Sequence, residues 1–202
     1  MRIIYFFCTI PFYLCAKFFQ LFNILKIEDD LKKCLSDLDN SNKNLDYTIL
    51  EILSLAEDHR VKFHYGIDHY AMLRAIYYTH IKNEFQGAST IAQQYVRVIS
   101  NRYERTLIRK FREQLLAVLI TRCFHWEEIA AAYINTAFLG SGMYGYDSFL
   151  KRKKILEADL SMTDKVRLVA RLKYPEPLQD KIRWSSKMRV RVENIQSKIV
   201  KM

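Results

Sequence analysis

Glycine and proline are scarce, five and three among 202 residues. No stretch alternates apolar and polar residues as a half-buried strand does. The chain therefore carries no sheet that its sequence would defend. Alanine, leucine, isoleucine, lysine, arginine and glutamate are plentiful instead, a composition that leans helical. Cysteine is also sparse. Cys8, Cys15, Cys34 and Cys123 include no C-x-x-C pair, which argues against a zinc site. Two of the four fall in an apolar run, too few to leave a disulfide framework, although a Cys34–Cys123 bridge stays open. Internal repeats and low-complexity tracts are missing. An acidic surplus is missing too: the net charge is +10. That excess favours phosphate-rich partners such as nucleic acid, an anionic membrane or a phosphorylated substrate, or else a merely solubilising surface.

What is present begins with an apolar run, Ile3 to Leu25, broken only by the charge of Lys17. About 20 such residues span a bilayer, and a proline such as Pro11 is tolerated there. A cleaved signal peptide would need a small-residue site, but the run continues into "KIEDDLKK". An interfacial helix is the other alternative, favoured by Lys17 and Gln20. The preferred reading is a retained anchor over 1–26, then a charged juxtamembrane linker over 27–45. The flanking charges do not fix its orientation.

From Asp46 the pattern predicts consecutive helices and a mainly α domain over 46–202. Asp46 caps a first helix with Ile49, Ile52, Leu53 and Ala56 on one stripe. Asp68 caps a second, with Met72, Leu73, Ile76 and Tyr77 as its apolar face. Thr90 and Gln93 fit a capping box that opens a third. A fourth runs from about Glu104 to Cys123 along Leu107, Phe111, Leu115, Val118 and Leu119. A fifth, near 127–138, is apolar nearly all round and so central. "GSGMYG" is a turn, and further helices cover about 163–172 and 186 onward.

Three stretches carry chemistry. In "AEDHRVKFHYGID", Glu57 and Asp58 sit at a helix C-terminus, where the helix dipole disfavours carboxylates. Partial burial would suit Glu57 to general-base work; a surface acidic pair near Arg60 and Lys62 is the plain alternative. His64 and His69 lack the spacing of a helical zinc pair, and His64 reads as a structural hydrogen-bonding group. In "ERTLIRKFREQLLAVLI", Glu113 follows Arg109 by one turn, with Arg102, Arg105, Lys110 and Arg112 nearby. An exposed Arg–Glu pair would explain little of that cation density; a polyphosphate or pyrophosphate ligand would. In "QGASTIAQQYVR", Gly87 allows tight backbone geometry. Ser89 and Thr90 offer hydroxyls and N–H groups at a helix start, Gln93 and Gln94 suit sugar hydroxyls or amides, and Arg97 adds charge. A capped amphipathic helix alone is the simpler alternative.

In order, "EDHRVKFHYG", "GASTIAQQYVR", "RKFREQLLA", "AYINTAFLGSGMYG" and, loosely, "KMRVRVENI" resemble the motifs of the peptidoglycan glycosyltransferases, glycosyltransferase family 51, in the monofunctional, membrane-anchored form. The resemblance covers about 46–200. It implies a lysozyme-like, two-lobed helical domain with one lobe touching the bilayer. It implies polymerisation of lipid II by inverting attack of the acceptor 4-hydroxyl on an undecaprenyl-pyrophosphate-linked donor. By position, Glu57 matches the family's general base and Glu113 the glutamate near the departing pyrophosphate. Asp58 completes the first motif. Ser89, Gln93, Gln94, Arg97, Arg109 and Lys110 fall on its binding positions, and Arg74 on a cleft arginine. Expected partners are lipid II, the growing glycan chain, an anionic membrane, and transpeptidases or other wall-synthesis proteins that crosslink the product. Nucleic acid is not expected, because a membrane segment and an acidic pair weigh against it. No metal site is expected within the chain; a divalent cation such as Mg2+ or Mn2+ is an admissible companion of the pyrophosphate. The expected location is the bacterial inner membrane, with the domain on its outer side. Val61 stands where the family has Phe, Arg97 where it has Lys, Trp126 where Lys is common and Ala131 where Glu is. A catalytically degraded, membrane-anchored binder of lipid-linked glycan, or a scaffold of a wall-synthesis complex, is the alternative. Ser148 and Lys151 form a coincidental S-x-x-K without K-T-G, so no transpeptidase domain is expected.

Overall fold

A computed structural model describes residues 1–84 and 86–201. Ten α-helices, two one-turn 3-10 helices (Ile24–Lys26 and Glu157–Asp159) and one two-stranded hairpin make up the regular structure of these residues, in two compact units. The first unit contains residues 1–40 and 58–129: α1 (Arg2–Leu21), α2 (Ile27–Asn40), α4 (His69–Ile81), α5 (Ile91–Ser100), α6 (Leu107–Ile120) and the start of α7 (Trp126–Thr136). The second contains residues 41–57 and the chain from Ala130 on: α3 (Tyr47–Glu57), the rest of α7, strands β1 (Phe138–Gly140) and β2 (Met143–Tyr144), then α8 (Gly145–Lys153), α9 (Met162–Lys173) and α10 (Lys181–Ile199).

The core of the first unit is α6. Every residue from Arg112 to Ile120 is buried, and α1, α2 and α5 pack against it. A helix buried on all sides must be apolar nearly all round, and "LLAVLI" supplies this. Its start is set by Thr106, whose Oγ1 accepts from the Arg109 N–H at 3.2 Å. Leu107, expected on the apolar face, lies before that core and is 89% exposed. In the second unit α3 packs against α9 and α10 through Ile49, Leu50, Ile52 and Leu53.

Residues 27–40, expected as a linker, form α2. Ile27, Leu31, Cys34 and Leu38 recur at helical spacing and are buried on α5 and α6. The acidic and basic residues between them are the solvated face of an amphipathic helix. The Tyr95 hydroxyl of α5 donates to the Cys34 carbonyl at 3.0 Å and to Asp37 Oδ2 at 2.8 Å, which fastens it. Cys34 and Cys123 are both free, one buried and one exposed, so the bridge that the sequence left open does not form.

Helix α1 is the one helix among the described residues long and apolar enough to cross a membrane. One side lies along α6, with Phe19 edge-on to Phe111 and Ala16 fully buried; Leu14, Phe18 and Leu21 on other sides are exposed. Asp68 caps α4 as expected, accepting from Ala71 N–H at 2.9 Å. The predicted inner face of α4 is open, however: Leu73, Ile76 and Tyr77 are roughly half to two-thirds exposed, at 69%, 56% and 47%.

"GSGMYG" makes the hairpin turn. Gly140 lies against Glu176, and Gly145 has φ +74 with no room for a Cβ against the Asn135 carbonyl. Strain and overlap both follow from any side chain there. Gly145→Ala is expected to cost about 2–5 kcal/mol, seen as a lower urea midpoint at unchanged m-value; a midpoint equal to that of the native chain would contradict this packing.

Candidate active site

The first-unit site is built on Glu113, at the start of the buried part of α6. Its side chain is 1% exposed, so its charge must be answered by the protein. Three cations do so. Arg97 on α5 grips it with both arms, Nε to Oε1 at 2.8 Å and Nη2 to Oε2 at 3.1 Å. Arg109, one turn back on α6, donates from Nη1 to Oε1. The Lys110 ammonium lies 3.6 Å from Oε2. One carboxylate against three cations leaves two positive charges in excess.

Lys110 ties this group to the preceding loop. Its Nζ donates to Ser89 Oγ at 2.8 Å and to Gln93 Oε1 at 2.6 Å. Gln93 is fully buried and its Nε2 donates to the Gly66 carbonyl at 3.1 Å, which also accepts from Thr90 Oγ1 at 2.8 Å. Gly66, at φ +82, presses on α6: a Cβ there would sit 2.5 Å from the Ala117 carbonyl. Thr90 caps α5 by accepting from Gln93 N–H at 3.3 Å. The Gln93 side chain does not close a capping box; it goes to Gly66 and Lys110 instead. Gly87 keeps an ordinary φ with open space where a Cβ would stand, so its backbone needs no glycine for tightness.

Burial pushes the Lys110 ammonium down to about 8. Arg97 and Arg109 push the same way, while Glu113 opposes them. A bound polyanion would relieve that crowding of positive charge.

Asp58 is 5% exposed and spends its oxygens inside the unit. Oδ1 meets His64 Nε2 at 2.8 Å, and Oδ2 accepts from the Ile91 N–H at the start of α5 at 3.0 Å. His64 is thus the hydrogen-bonding group that the sequence predicts. Donor atoms of Asp58, His64 and Asp68 lie within 4.8 Å of one another. Asp68 already accepts from Tyr5, Arg60 and Ala71, so these carboxylates serve the chain's own donors. Gln94 is half-buried on α5. Arg74 is half-buried on α4, and its Nε has no hydrogen-bond partner among the described residues.

Glu57 ends α3 in the second unit. Its Oε1 accepts from Arg191 Nη2 of α10 at 2.5 Å, and its side chain is 15% exposed. Arg191 also donates to the Ala56 carbonyl at 3.1 Å, and Lys198 Nζ to the Leu55 carbonyl at 3.1 Å. Two cations from α10 therefore neutralise the C-terminal end of α3, which makes a carboxylate tolerable there. The sequence reading missed Arg191, because its contact joins residues 134 apart in the chain; "KMRVRVENI" signalled only a basic stretch.

Residues 26–199 match the family described as Transglycosylase. Penicillin-binding protein 1A of Aquifex aeolicus is 38% identical over 101 residues, 50% of this chain and 14% of the relative. Penicillin-binding protein 1A of Haemophilus influenzae is 38% identical over 99 residues, 48% of this chain and 12% of the relative. Penicillin-binding protein 1F of Bacillus subtilis is 31% identical over 98 residues, covering 48% and 14%. The chain belongs to the transglycosylase family. The matched part spans only 12–14% of the length of these relatives.

The Lys110 environment sets a pH dependence. An unfolded lysine titrates near about 10.4, above the folded value of about 8. Charged Lys110 therefore burdens the folded state below pH 8, and stability contributed by this group rises as pH climbs from 8 toward the unfolded value. A diphosphate bound beside Lys110 is expected to show the opposite trend, weaker binding as Lys110 loses its proton through about 8. Lys110→Arg keeps the charge and is expected to flatten the fall. Titration calorimetry of a soluble prenyl diphosphate against pH reads this, and identical profiles for the two proteins would refute it.

Proposed function

We propose that the chain is a peptidoglycan glycosyltransferase that polymerises lipid II, anchored by α1 in the bacterial inner membrane with its domain on the outer side. The observation that carries this reading is the buried Glu113 with its three cations, on stretches that resemble the family's second and third motifs. The excess of positive charge suits a diphosphate leaving group, which needs cations rather than a proton. Arg97, Arg109 and Lys110 hold the diphosphate oxygens; Ser89 and Gln93 aim Lys110; Glu113 keeps the cations apart and in place, a positioning role.

Glu57 takes the proton from the acceptor 4-hydroxyl. The freed oxygen forms a bond to the donor's anomeric carbon as the bond from that carbon to the diphosphate oxygen breaks, and its electron pair leaves on the diphosphate. A single displacement inverts the anomeric carbon. Arg191 fixes the Glu57 carboxylate by a charge-assisted bond. Gln94 and Arg74 are proposed sugar and phosphate contacts. Asp58 contributes by holding the start of α5 through Ile91. A divalent cation fits the cradle poorly, because Glu113 is already shared among three cations, and no step is routed through one. Transpeptidases or other wall-synthesis proteins would crosslink the product.

The test uses the full chain in detergent with labelled lipid II. The native protein should form polymer, and Glu57→Gln should lower the rate by about 10²–10⁴-fold while leaving lipid II binding in place. Arg191→Ala should lower kcat more than it raises KM. A native protein that binds lipid II without polymerising it would favour the binder reading instead.

A further inference from the structure

Where α1 ends, the chain turns sharply through Asn23, Leu25 and Lys26, all at positive φ. A cavity of about 250 Å³ opens there, lined by Lys26, Arg102, Arg109 and Arg112 together with Glu104 and Thr106. Arg112 holds the turn. Its Nε donates to the Leu25 carbonyl at 2.7 Å and its Nη2 pairs with Asp30. Its side chain is 3% exposed, yet Nη1 is buried without a hydrogen-bond partner. The Lys26 side chain is exposed and has no partner among the described residues.

The charges around the cavity are net positive. Arg109 belongs to Glu113. Of the rest, Asp30 answers Arg112 and also lies 3.6 Å from Arg102, while Glu104 lies 3.7 Å from Arg102. Asp30 also takes Lys33 at 3.0 Å, so Lys26, Lys33, Arg102 and Arg112 against Asp30 and Glu104 leave two positive charges. That excess fits an anionic phosphate group. The surroundings fit an amphiphile: Leu25 and Ile108 line the same cavity. Phe18, Leu21 and Phe22 stand exposed on the adjoining end of α1, at 55%, 78% and 62%.

We propose that this cavity binds the phosphate headgroup of an anionic phospholipid, whose acyl chains lie along the exposed apolar side chains at the end of α1. Such a lipid would join the anchor helix to α2 and α6 at the level of the membrane surface. The proposal rests on α1 as a membrane helix and not on the glycosyl-transfer chemistry, so a chain that fails to polymerise lipid II can still retain the lipid.

The test is native mass spectrometry of the full chain in mild detergent, with phosphatidylglycerol, phosphatidylcholine or inorganic phosphate added. The native chain should retain one phosphatidylglycerol, in preference to phosphatidylcholine by on the order of tenfold. Lys26→Ala removes an exposed side chain that holds nothing else, and should cut that preference by about fivefold; Lys26→Ala with Arg102→Ala should abolish it. Equal retention of the two lipids overturns the proposal. So does unchanged preference in the double variant, or displacement of the lipid by inorganic phosphate, which would mark a site for the free ion.

Discussion

A carboxylate that water barely reaches, shared among three cations, is the constraint around which the first unit is arranged. Glu113 is fixed by its place in α6, and burying its charge without partners would cost several kcal/mol. Arg109 and Lys110 come with it on the same helix. Arg97 must be brought by α5, and a two-armed grip tolerates little sliding. The register of α5 against α6 is therefore held by charge as well as by packing. The loop before α5 is held in turn, because Lys110 also reaches Ser89 and Gln93, and Gln93 reaches Gly66. Gly66 has no side chain because α6 leaves no space for one. Three separated stretches of sequence thus meet through one chain of hydrogen bonds, with Asp58 and His64 bracing the start of α5 from behind.

The second unit solves a different electrostatic problem. Glu57 occupies the end of a helix whose exposed carbonyls already carry partial negative charge. Arg191 and Lys198, two turns apart on α10, take up the carbonyls of Ala56 and Leu55, and Arg191 takes the carboxylate as well. The packing of α10 on α3 and the placement of Glu57 are then one arrangement. A substitution in α10 that disturbed the packing would also move the carboxylate.

The sequence reveals local features well. Asp46, Asp68 and Thr90 are read correctly as caps, because capping is decided within four residues. The pairing of Arg109 with Glu113 is read correctly because helical spacing alone brings them together. Helix α2 is lost to reading because its charges outnumber the four apolar residues that matter. The apolar stripe of α4 is real as a pattern, but periodicity cannot say whether a stripe faces a core or lies open, and Leu73 and Ile76 lie open. Arg191 and Gly66 act across long stretches of chain and leave no local signal. Their roles emerge only once the helices are packed.

The cradle is also built against its own comfort. Arg97, Arg109 and Lys110 repel one another, and burial adds to the cost of charging Lys110. A protein concerned only with stability would place a second carboxylate there, or a neutral side chain in place of the lysine. Gathering three cations on one carboxylate makes sense when a ligand supplies further negative charge in the bound state. The same geometry explains why a single base, the Arg191-held carboxylate of Glu57, suffices for the proposed chemistry. A leaving diphosphate that is already neutralised needs no proton, so the carboxylate at Glu113 is free to serve as the fixed point that holds the cations in position.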